Sequence, residues 1–567
     1  MTESERLIKD RKVPKLSHEA LTKKGLSPVL ARVLAARGIK DGNELDDSLT
    51  KLAPLETLKN CKQAGELLAD AIANDENILI VADYDADGAT AAAITILFLR
   101  RIGINVEYFV PNRFEHGYGL TPEIVDIVAK KQTDLIITVD NGIASITGVD
   151  RAKELGIKVL ITDHHLPGPE LPQASCIVNP NQPNDTFESK SLAGVGVMFY
   201  VLIALRAELR AREYFAQKNQ EPNLAELLDL VALGTIADVV PIDQNNRILV
   251  AQGLRRIRTG NMNPGIQALL RIAKKDPSVV RSSDFGFAVG PRLNAAGRLT
   301  DMKLGIECLI AHDIERATEL AKELDQLNVE RRHIEGGMKE QALKYLENIE
   351  TKVESGITLF NQQWHSGIVG ILASRVKEKF NRPTIAFAPE KNNSLKGSGR
   401  SIQGIHLRDV LDTLTKTDSS IIDKFGGHAM AAGLTIQAEK LEQFTHLFNK
   451  IVAEEFKKNT IDNAIYTDGS LREQDSLTEL AKELRTQVWG QGFPEPAFKD
   501  ELHVKAHRIL GEAHTKLRVS FSPQGGEIDA IRFNFNDAVP DLINCVYRLD
   551  INDFFDHKPA QLIIETW

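Results

Sequence analysis

The sequence predicts an α/β protein with three folded parts. These are a doubly wound parallel sheet, a smaller α/β domain joined to it by a long helix, and a C-terminal β-barrel. Apolar runs alternate with amphipathic segments between residues 77 and 178, residues 314–350 are charged and helix-patterned, and the tail after residue 460 contains short alternating segments. The chain has 567 residues, too many for one ordinary core, so about two to four domains are expected.

The parallel sheet is predicted from its alternation of strands and helices. Amphipathic segments at 89–101, 121–131 and 145–155 predict helices between the strands, and the pattern becomes mostly helical after residue 192. Strands joined by helices in this way form doubly wound parallel sheets. The apolar runs that predict buried strands lie at 77–82, 104–110, 134–139, 157–162 and 175–178.

The later domains are predicted from changes of pattern. Strand-like runs at 356–360 and 384–388, with helices around 368–380 and 438–457, predict the smaller α/β domain. The segments HVKAHRIL, TKLRVSFS, EIDAIRFNF and QLIIETW alternate as barrel strands do. The expected domains are an N-terminal extension (1–50), a catalytic domain (51–313), a connecting helix (314–350), a substrate-binding domain (351–458) and a barrel (459–567).

The composition is that of a soluble globular protein, with 43% hydrophobic and 26% charged residues. No apolar run is long enough to span a bilayer, and the charged N-terminus lacks the core of a secretory signal. The four cysteines are scattered, which predicts that the protein lies in the reducing cytoplasm and argues against thiolate zinc sites. The net charge of −9 argues mildly against a nucleic-acid partner, but a carboxylate-rich metal site would also lower this sum.

Polar clusters follow three of the predicted strands and one helix. Because the carboxyl ends of parallel strands meet at one edge of a sheet, these clusters are expected to converge on one rim. The clusters are Asp83-Tyr84-Asp85-Ala86-Asp87-Gly88, Asp140-Asn141-Gly142, Thr162-Asp163-His164-His165, and Asp238 at the end of an apolar helical run.

Carboxylates with one or two imidazoles and no cysteine predict a site for hard divalent ions, Mg²⁺ or Mn²⁺. Two ions about 3.5–4 Å apart would explain the crowding, since bridging carboxylates neutralise two cations. For any single cluster, a turn residue or a helix N-cap is the commoner explanation of an aspartate after a strand. Four clusters in the right order and place favour the metal interpretation.

The order DYDADG, VDNG, TDHH and GTIADVVP resembles the DHH phosphoesterase superfamily. The later motifs GPRLNAAGR (290–298), WHSGIVGI (364–371), GSGRS (397–401) and FGGHAMAAG (425–433) resemble its bacterial single-strand-specific 5′→3′ DNA exonucleases. The resemblance runs from about residue 50 to the C-terminus, and the first 50 residues carry no matching motif. It implies hydrolysis of phosphodiesters to 5′-mononucleotides by a two-metal mechanism, in DNA recombination, mismatch repair and other DNA repair.

The resemblance also implies residue roles in the first domain. Asp85 and Asp87 match the first-motif metal ligands, and Asp140 matches the carboxylate that bridges both ions. His164 matches the imidazole ligand, and Asp238 completes the set. Asp83 and His165 match catalytic positions whose role, support or acid–base chemistry, stays open.

The second domain resembles the DHH-associated domain, in which Ser398 and Arg400 would grip a terminal 5′ phosphate and His428 would face the scissile phosphate. Further substrate-binding candidates are Arg113, Arg292, Asn294 and Arg298. Taken singly, each arginine is more often a surface ion pair. The tail resembles an OB-fold, and its basic residues either line a nucleic-acid groove or lie on solvated strand faces: Lys505, His507, Arg508, Lys516 and Arg518.

Two other functions remain open from the sequence. One is a DHH phosphodiesterase acting on short oligonucleotides or cyclic dinucleotides, although such an enzyme would not need a strand-holding barrel. The other is a non-catalytic single-strand-binding relative, although every expected ligand type is present. The resemblance implies single-stranded DNA, a single-strand-binding protein and a helicase as partners and no membrane; a monomer is the default expectation.

Overall fold

We describe a computed structural model of the chain, covering residues 7–112, 119–216, 221–348, 355–459, 464–511, 513–553 and 558–567. Two compact units divide these residues. The larger contains Ile8–Asp325 and Tyr466–Trp567, and the smaller contains Leu7 and Gln326–Ile465. Across the described ranges, no helix is both long enough and apolar enough to cross a membrane.

The N-terminal segment of the larger unit begins with β1 (Ile8–Asp10), α1 (Lys15–Lys23) and α2 (Pro28–Ala35). The side chain of Ser27 caps α2 by accepting a hydrogen bond from the amide of Leu30, and Pro28 takes the first helical position, where no amide donor is needed. Most of α2 is buried. The predicted extension is therefore a packed part of the larger unit.

The predicted parallel sheet is confirmed strand by strand. Its order is β3-β2-β4-β5-β6, and every pair is parallel. The chain leaves β2 toward β3 on one side and returns to β4 on the other, which makes a topological switch point between β2 and β4. The elements are α3 (Cys61–Ala73), β2 (Ile78–Ala82), α4 (Ala86–Arg101), β3 (Glu107–Phe109), α5 (Pro122–Ala129), β4 (Leu135–Val139), α6 (Ile146–Glu154), β5 (Lys158–Thr162) and β6 (Cys176–Val178).

A helical layer follows the sheet, as expected after residue 192. Its α8 packs against α4 and is buried along most of its length. The elements are α7 (Gly194–Ala211), α8 (Leu228–Ala237), α9 (Gln244–Arg258), α10 (Pro264–Ile272), α11 (Ser282–Asp284), a π-helical turn (Phe285–Val289), α12 (Gly290–Leu299) and α13 (Lys303–Leu309). The long helix predicted at 314–350 is α14 (Ile314–Asn348).

The smaller unit contains a five-stranded sheet of order β10-β11-β9-β8-β7, in which only β7 and β8 pair in parallel. Its core lies between the sheet and two helices, α16 and α17. The elements are β7 (Ile357–Phe360), α15 (Val369–Phe380), β8 (Thr384–Pro389), β9 (Ser394–Arg400), α16 (Leu407–Thr417), β10 (Lys424–Gly427), β11 (Ala431–Gln437) and α17 (Leu441–Lys458).

The C-terminal tail forms a closed five-stranded barrel, as predicted, of order β13-β14-β15-β17-β16. The strand β16 was not among the four alternating segments found in the sequence. Before the barrel, β12 (Ile465–Thr467) pairs with β1, so the N-terminal strand and the segment that leads into the barrel share one two-stranded sheet. The remaining elements are α18 (Leu477–Thr486), β13 (Phe498–Leu510), β14 (His514–Ser520), β15 (Ile528–Arg532), β16 (Leu542–Ile551) and β17 (Ala560–Thr566).

Candidate metal centre

The acidic residues lie side by side because each strand end is bonded to its neighbour. The amide of Asp83 donates to the carbonyl of Val139 at 3.2 Å, and the amide of Asp140 donates to that of Thr162 at 3.0 Å. These bonds continue the parallel ladder by one residue beyond β2 and β4. The register of the sheet therefore sets the first aspartate of DYDADG beside Asp140.

The DYDADG segment turns directly into α4, and its carboxylates have different surroundings. Asp85 is the N-cap residue, with a side chain that accepts from the amides of Asp87 and Gly88. Asp87 lies in the first turn, 1% exposed, and accepts from Gly194 N at 2.6 Å and Val195 N at 2.9 Å. The positive end of the α7 dipole thus holds the Asp87 carboxylate.

His164 joins three of the predicted metal ligands. Its Nε2 atom lies 3.2 Å from Oδ1 of Asp140, 3.4 Å from Oδ2 of Asp238 and 4.0 Å from Oδ2 of Asp87. Three overlapping groups have ligand atoms that all lie within 4.8 Å of one another: Asp87-His164-Asp238, Asp83-Asp85-Asp140 and Asp140-His164-His165. The structure thus brings together all five predicted metal ligands, with Asp83 and His165 beside them.

Burial and mutual repulsion weaken the acidity of this cluster. Burial, then the charge of Asp238, raises the pKa of Asp87 to about 7, and burial, then Asp85, raises the pKa of Asp238 to about 7. Burial, then Asp87, also raises the pKa of Asp140 well above its usual value. Burial lowers the pKa of His164, and the neighbouring His165 lowers it further. A lowered pKa favours the neutral imidazole, the form that can bind a metal ion.

Two buried atoms test whether a divalent ion fits these residues. Oδ1 of Asp140 and Nε2 of His164 have no hydrogen-bond partner within the described residues. Buried polar atoms rarely remain unsatisfied. Oxygen and imidazole nitrogen are the ligand types of Mg²⁺ and Mn²⁺ sites. The donor set and its unsatisfied atoms fit such an ion.

In the triplet Asp163-His164-His165, Asp163 has a different structural role from His164. Asp163 accepts hydrogen bonds from the amides of His164 and His165 and, at 2.8 Å, from Nδ1 of His165. Burial alone would raise the pKa of Asp163, but the charge and hydrogen bond of His165 lower it to about 2. Burial lowers the pKa of His165, but the charge of Asp163 and the hydrogen bond to it raise this pKa to about 10. Asp163 orients the loop and keeps His165 protonated.

Helix α12 braces the metal-ligand loop from the other side. Oδ1 of Asn294 accepts from the amide of Ala86 at 2.9 Å, and a methyl group at Gly297 would lie 1.9 Å from the carbonyl oxygen of Tyr84. Arg292 instead pairs with Asp325 at 2.9 Å. Arg298 is partly buried on the same helix. The other substrate candidate of this unit, Arg113, lies outside the described residues.

Sequence reasoning missed several residues that hold the ligands. A methyl group at Gly194 would lie 2.6 Å from Oδ1 of Asp140, so only glycine fits where α7 begins. The side-chain amides of Asn179 and Asn181 donate to the carbonyls of His165 and His164. These residues lie in the glycine-rich segment LAGVGV and in the motif VNPNQ, but neither pattern by itself suggests a metal centre.

The substrate candidates of the smaller unit lie next to each other on β9. Nη1 of Arg400 donates to Oγ of Ser398 at 3.2 Å, and both side chains lie at the first turn of α15. A methyl group at Gly370 in that turn would lie 2.8 Å from Oγ of Ser398. A helix N-terminus beside an arginine and a hydroxyl can bind an anion. His428 is exposed at the turn between β10 and β11.

Several basic residues of the barrel, which are candidates for nucleic-acid binding, already have partners within the protein. Lys516 pairs with Asp529 at 2.8 Å, where both side chains are about one fifth exposed, and the more exposed Arg518 pairs with Glu527 at 3.4 Å. Lys505 donates to the carbonyl of Pro523. His507 and Arg508 are exposed near the end of β13.

Comparisons with known proteins agree with this architecture. The chain matches the DHH family, N-terminal domain, over residues 77–235, the DHHA1 domain over 353–454, and the RecJ OB domain over 467–566. It is 48% identical over 551 residues to the single-stranded-DNA-specific exonuclease RecJ of Dickeya dadantii, covering 95% of this chain and 96% of that one. Identity to the RecJ of Escherichia coli is 47% over 552 residues, with the same coverage.

Solved structures show the same fold. The crystal structure of RecJ in complex with Mn²⁺ from Thermus thermophilus has a TM-score of 0.83 and 27% identity, covering 99% of this chain and 79% of that one. Its complex with Mg²⁺ has a TM-score of 0.75 and 26% identity, covering 99% and 78%. A parallel sheet with carboxylates and histidine at one rim, followed by DHHA1 and OB domains, defines a DHH-type phosphoesterase. Within that class, the chain belongs to the RecJ family of single-stranded-DNA-specific exonucleases.

Proposed function

We propose that this protein is a metal-dependent exonuclease that degrades single-stranded DNA from its 5′ end to 5′-mononucleotides, in DNA recombination and repair, including mismatch repair. The observation that carries the proposal is the convergence of carboxylates and the imidazole of His164, whose pKa burial lowers, on one rim of the sheet. Relatives covering nearly the whole chain bear the name of single-stranded-DNA-specific exonucleases. The Thermus thermophilus structures were determined with Mn²⁺ and Mg²⁺.

The residues that would hold two Mn²⁺ or Mg²⁺ ions are Asp85, Asp87, Asp140, His164 and Asp238. When bound, such ions act as Lewis acids that neutralise phosphate charge and activate a water molecule. The protein fixes the ligands beforehand: the α7 amides hold Asp87, and the α4 amides hold Asp85. Preorganised ligands lower the cost of assembling the site during the reaction.

We assign acid–base and positioning work to three further residues. His165 stays protonated through its bond to Asp163, and so can donate a proton to the leaving oxygen. Asp83, 6% exposed and grouped with Asp85 and Asp140, adds negative charge that favours cation binding. His428 is our candidate for contact with the scissile phosphate.

The 5′ polarity is assigned to Ser398 and Arg400. Their position at the first turn of α15 combines a guanidinium, a hydroxyl and a helix N-terminus, which together suit a terminal phosphate. We keep Arg113, Asn294 and Arg298 as further substrate contacts. Arg292 could contact the strand only by exchanging its present partner, Asp325.

We also propose a cytoplasmic monomer that acts with a helicase and a single-strand-binding protein. The four cysteines are all free and buried, as suits a reducing compartment. An enzyme restricted to single strands needs another activity to separate a duplex, and this need supports a helicase partner.

The test is the substitution Asp140→Ala. Because Asp140 lies in two of the three ligand groups, its loss should lower the rate on 5′-phosphorylated single strands by more than about a hundredfold. Binding of the strand, measured by fluorescence anisotropy, should fall far less. Turnover of duplex DNA and of a dinucleotide by the wild-type protein should be much slower than turnover of the long single strand.

The matched control is Asp134→Ala, which removes an exposed aspartate just before the opposite end of the same strand, β4. Its activity should stay close to that of the wild type. A near-normal rate for Asp140→Ala would contradict the assigned ligand. Faster turnover of the dinucleotide would overturn the proposed substrate, and strand binding with no hydrolysis under any divalent ion would identify a binding protein.

A further inference from the structure

The most exposed large apolar side chain in the described part of the chain is Phe287, at 87%. It lies in the π-helical turn Phe285–Val289, where Phe285 is fully buried. Phe285 therefore anchors the turn, while Phe287 contributes little to packing. Single π-helical turns inside helices are frequent at functional sites.

The helix that carries Phe287 borders the metal centre. A methyl group at Gly286, in the π-helical turn, would lie 3.6 Å from Cγ2 of Ile236, and one at Gly290, the first residue of α12, would lie 3.2 Å from Cβ of Ala237. Ile236 and Ala237 form the last turn of α8, directly before the ligand Asp238. The start of the helix is thus packed against the segment that delivers one ligand.

The solvent-facing stripe of this helix connects Phe287 with the other ligand loop. Residues 287, 291, 294 and 298 are all at least partly accessible and are spaced three or four residues apart, so they share one face; residues 286, 292 and 299 are also partly accessible. On this face, Asn294 accepts from the amide of Ala86 in the DYDADG segment. Phe287 and the metal-ligand loop therefore adjoin the same stripe.

Two more exposed apolar residues directly follow cluster residues. Val239, 62% exposed, follows Asp238, and Leu166, 53% exposed, follows His165. Val239 also has a φ of 64°, an unfavourable conformation for a β-branched residue that functional sites often retain. The highly charged centre thus has an apolar rim. A nucleotide presents both matching chemistries: a phosphate for the cations and a flat base for an apolar surface.

We propose that Phe287 stacks against a base of the single strand next to the phosphodiester held at the metal centre, with Val239 and Leu166 extending the apolar contact. The inference rests on the proposed exonuclease function and deepens it. Stacking accepts every base, because each base has an aromatic face, so the contact holds the strand without reading its sequence. Phe287 is a positioning residue for the strand.

The experiment compares Phe287→Ala, Phe287→Leu and Phe287→Trp on an ordinary 5′-phosphorylated single strand and on one with abasic nucleotides near its 5′ end. On the ordinary strand, Phe287→Ala should raise KM about tenfold. Phe287→Leu should raise KM nearly as much, because leucine cannot stack on a base, whereas Phe287→Trp should leave KM close to the wild-type value. On the abasic strand, the wild type and Phe287→Ala should be alike. Mn²⁺ affinity, measured by calorimetry, should be unchanged in all variants.

Leu155→Ala serves as the control, since it truncates a 42% exposed side chain just after α6 and should leave KM unchanged. Equal KM values for Phe287→Ala and the wild type on the ordinary strand would overturn the inference. An equal loss on the abasic strand would also overturn it, as would a defect that appears only when a protein partner is added. A wild-type protein that does not cut single strands would instead contradict the proposed function.

Discussion

At the scale of single residues, the three aspartates of DYDADG are not equivalent. Asp83 is placed by its backbone bond to β4, Asp85 caps α4, and Asp87 is held by the amides of α7. The sequence predicts that the three lie at a strand end and that a turn separates their roles. It could not show Asp87 bonded to residues more than one hundred positions away. Asp85 combines two features, since it caps α4 and also belongs to one of the candidate ligand groups.

Arg400 carries the residue-scale prediction. Arg400→Ala should slow hydrolysis of 5′-phosphorylated strands about ten- to a hundredfold, because the proposed charge-assisted bond to the phosphate would be lost. Hydrolysis of 5′-hydroxyl strands and Mn²⁺ affinity should change little. Initial rates on the two strand ends provide the measurement. Arg408→Ala, which removes an exposed arginine of the same unit, should affect both ends equally and weakly. Equal losses on both ends for Arg400→Ala would exclude the phosphate contact.

At the scale of elements, the strands that the sequence predicts best are those in which every residue is buried. Every residue of β2 and β4 is buried, so each strand stands out as a continuous apolar run. The strand β9, with the sequence SLKGSGR, alternates between buried and partly buried residues but contains glycine, serine and charged residues. Such residues have low strand propensity. Pairing with β8 and β11 stabilises β9, and local sequence cannot show this pairing.

The start of α7 gives the element-scale prediction. Gly194→Ala would place a methyl group 2.6 Å from Oδ1 and 2.7 Å from Cβ of Asp140. The helix would shift away, and its amides would no longer hold Asp87. We expect Mn²⁺ affinity to fall more than about tenfold and stability to fall by about 1–3 kcal/mol. Calorimetry with Mn²⁺ and thermal unfolding measure the two effects.

A glycine in another helix supplies the control for this substitution. A methyl group at Gly337, in α14, would meet no atom within 4 Å. Gly337→Ala should therefore increase stability slightly through helix propensity and leave Mn²⁺ affinity unchanged. If Gly194→Ala behaved like Gly337→Ala, then α7 would not position the ligands.

At the scale of the whole molecule, the first 50 residues gain a structural role that no sequence motif indicates. Arg37 follows α2, and its guanidinium donates to both oxygens of Asp468, at 2.7 and 2.9 Å, and to the carbonyl of Pro494. It also lies 5.3 Å from the ring centroid of Trp489. The pair spans 431 residues of chain, so only the folded structure reveals it. The N-terminal helices are thereby fastened to the segment that leads into the barrel.

Arg37→Ala should destabilise the larger unit by about 3–5 kcal/mol. The side chains of Arg37 and Asp468 are 1% and 0% exposed. Removing Arg37 would leave the buried carboxylate of Asp468 with the more distant guanidinium of Arg11, at 3.9 Å, as its neighbouring cation. The exposed ion pairs of Arg212, to Asp70 and Glu208, offer the comparison, and Arg212→Ala should cost less than about 1 kcal/mol. Urea unfolding of the full chain measures both. The double variant Arg37→Ala with Asp468→Asn should recover part of the loss, because the buried carboxylate is then neutral. If Arg37→Ala cost no more than Arg212→Ala, the N-terminal helices would contribute little to anchoring the barrel.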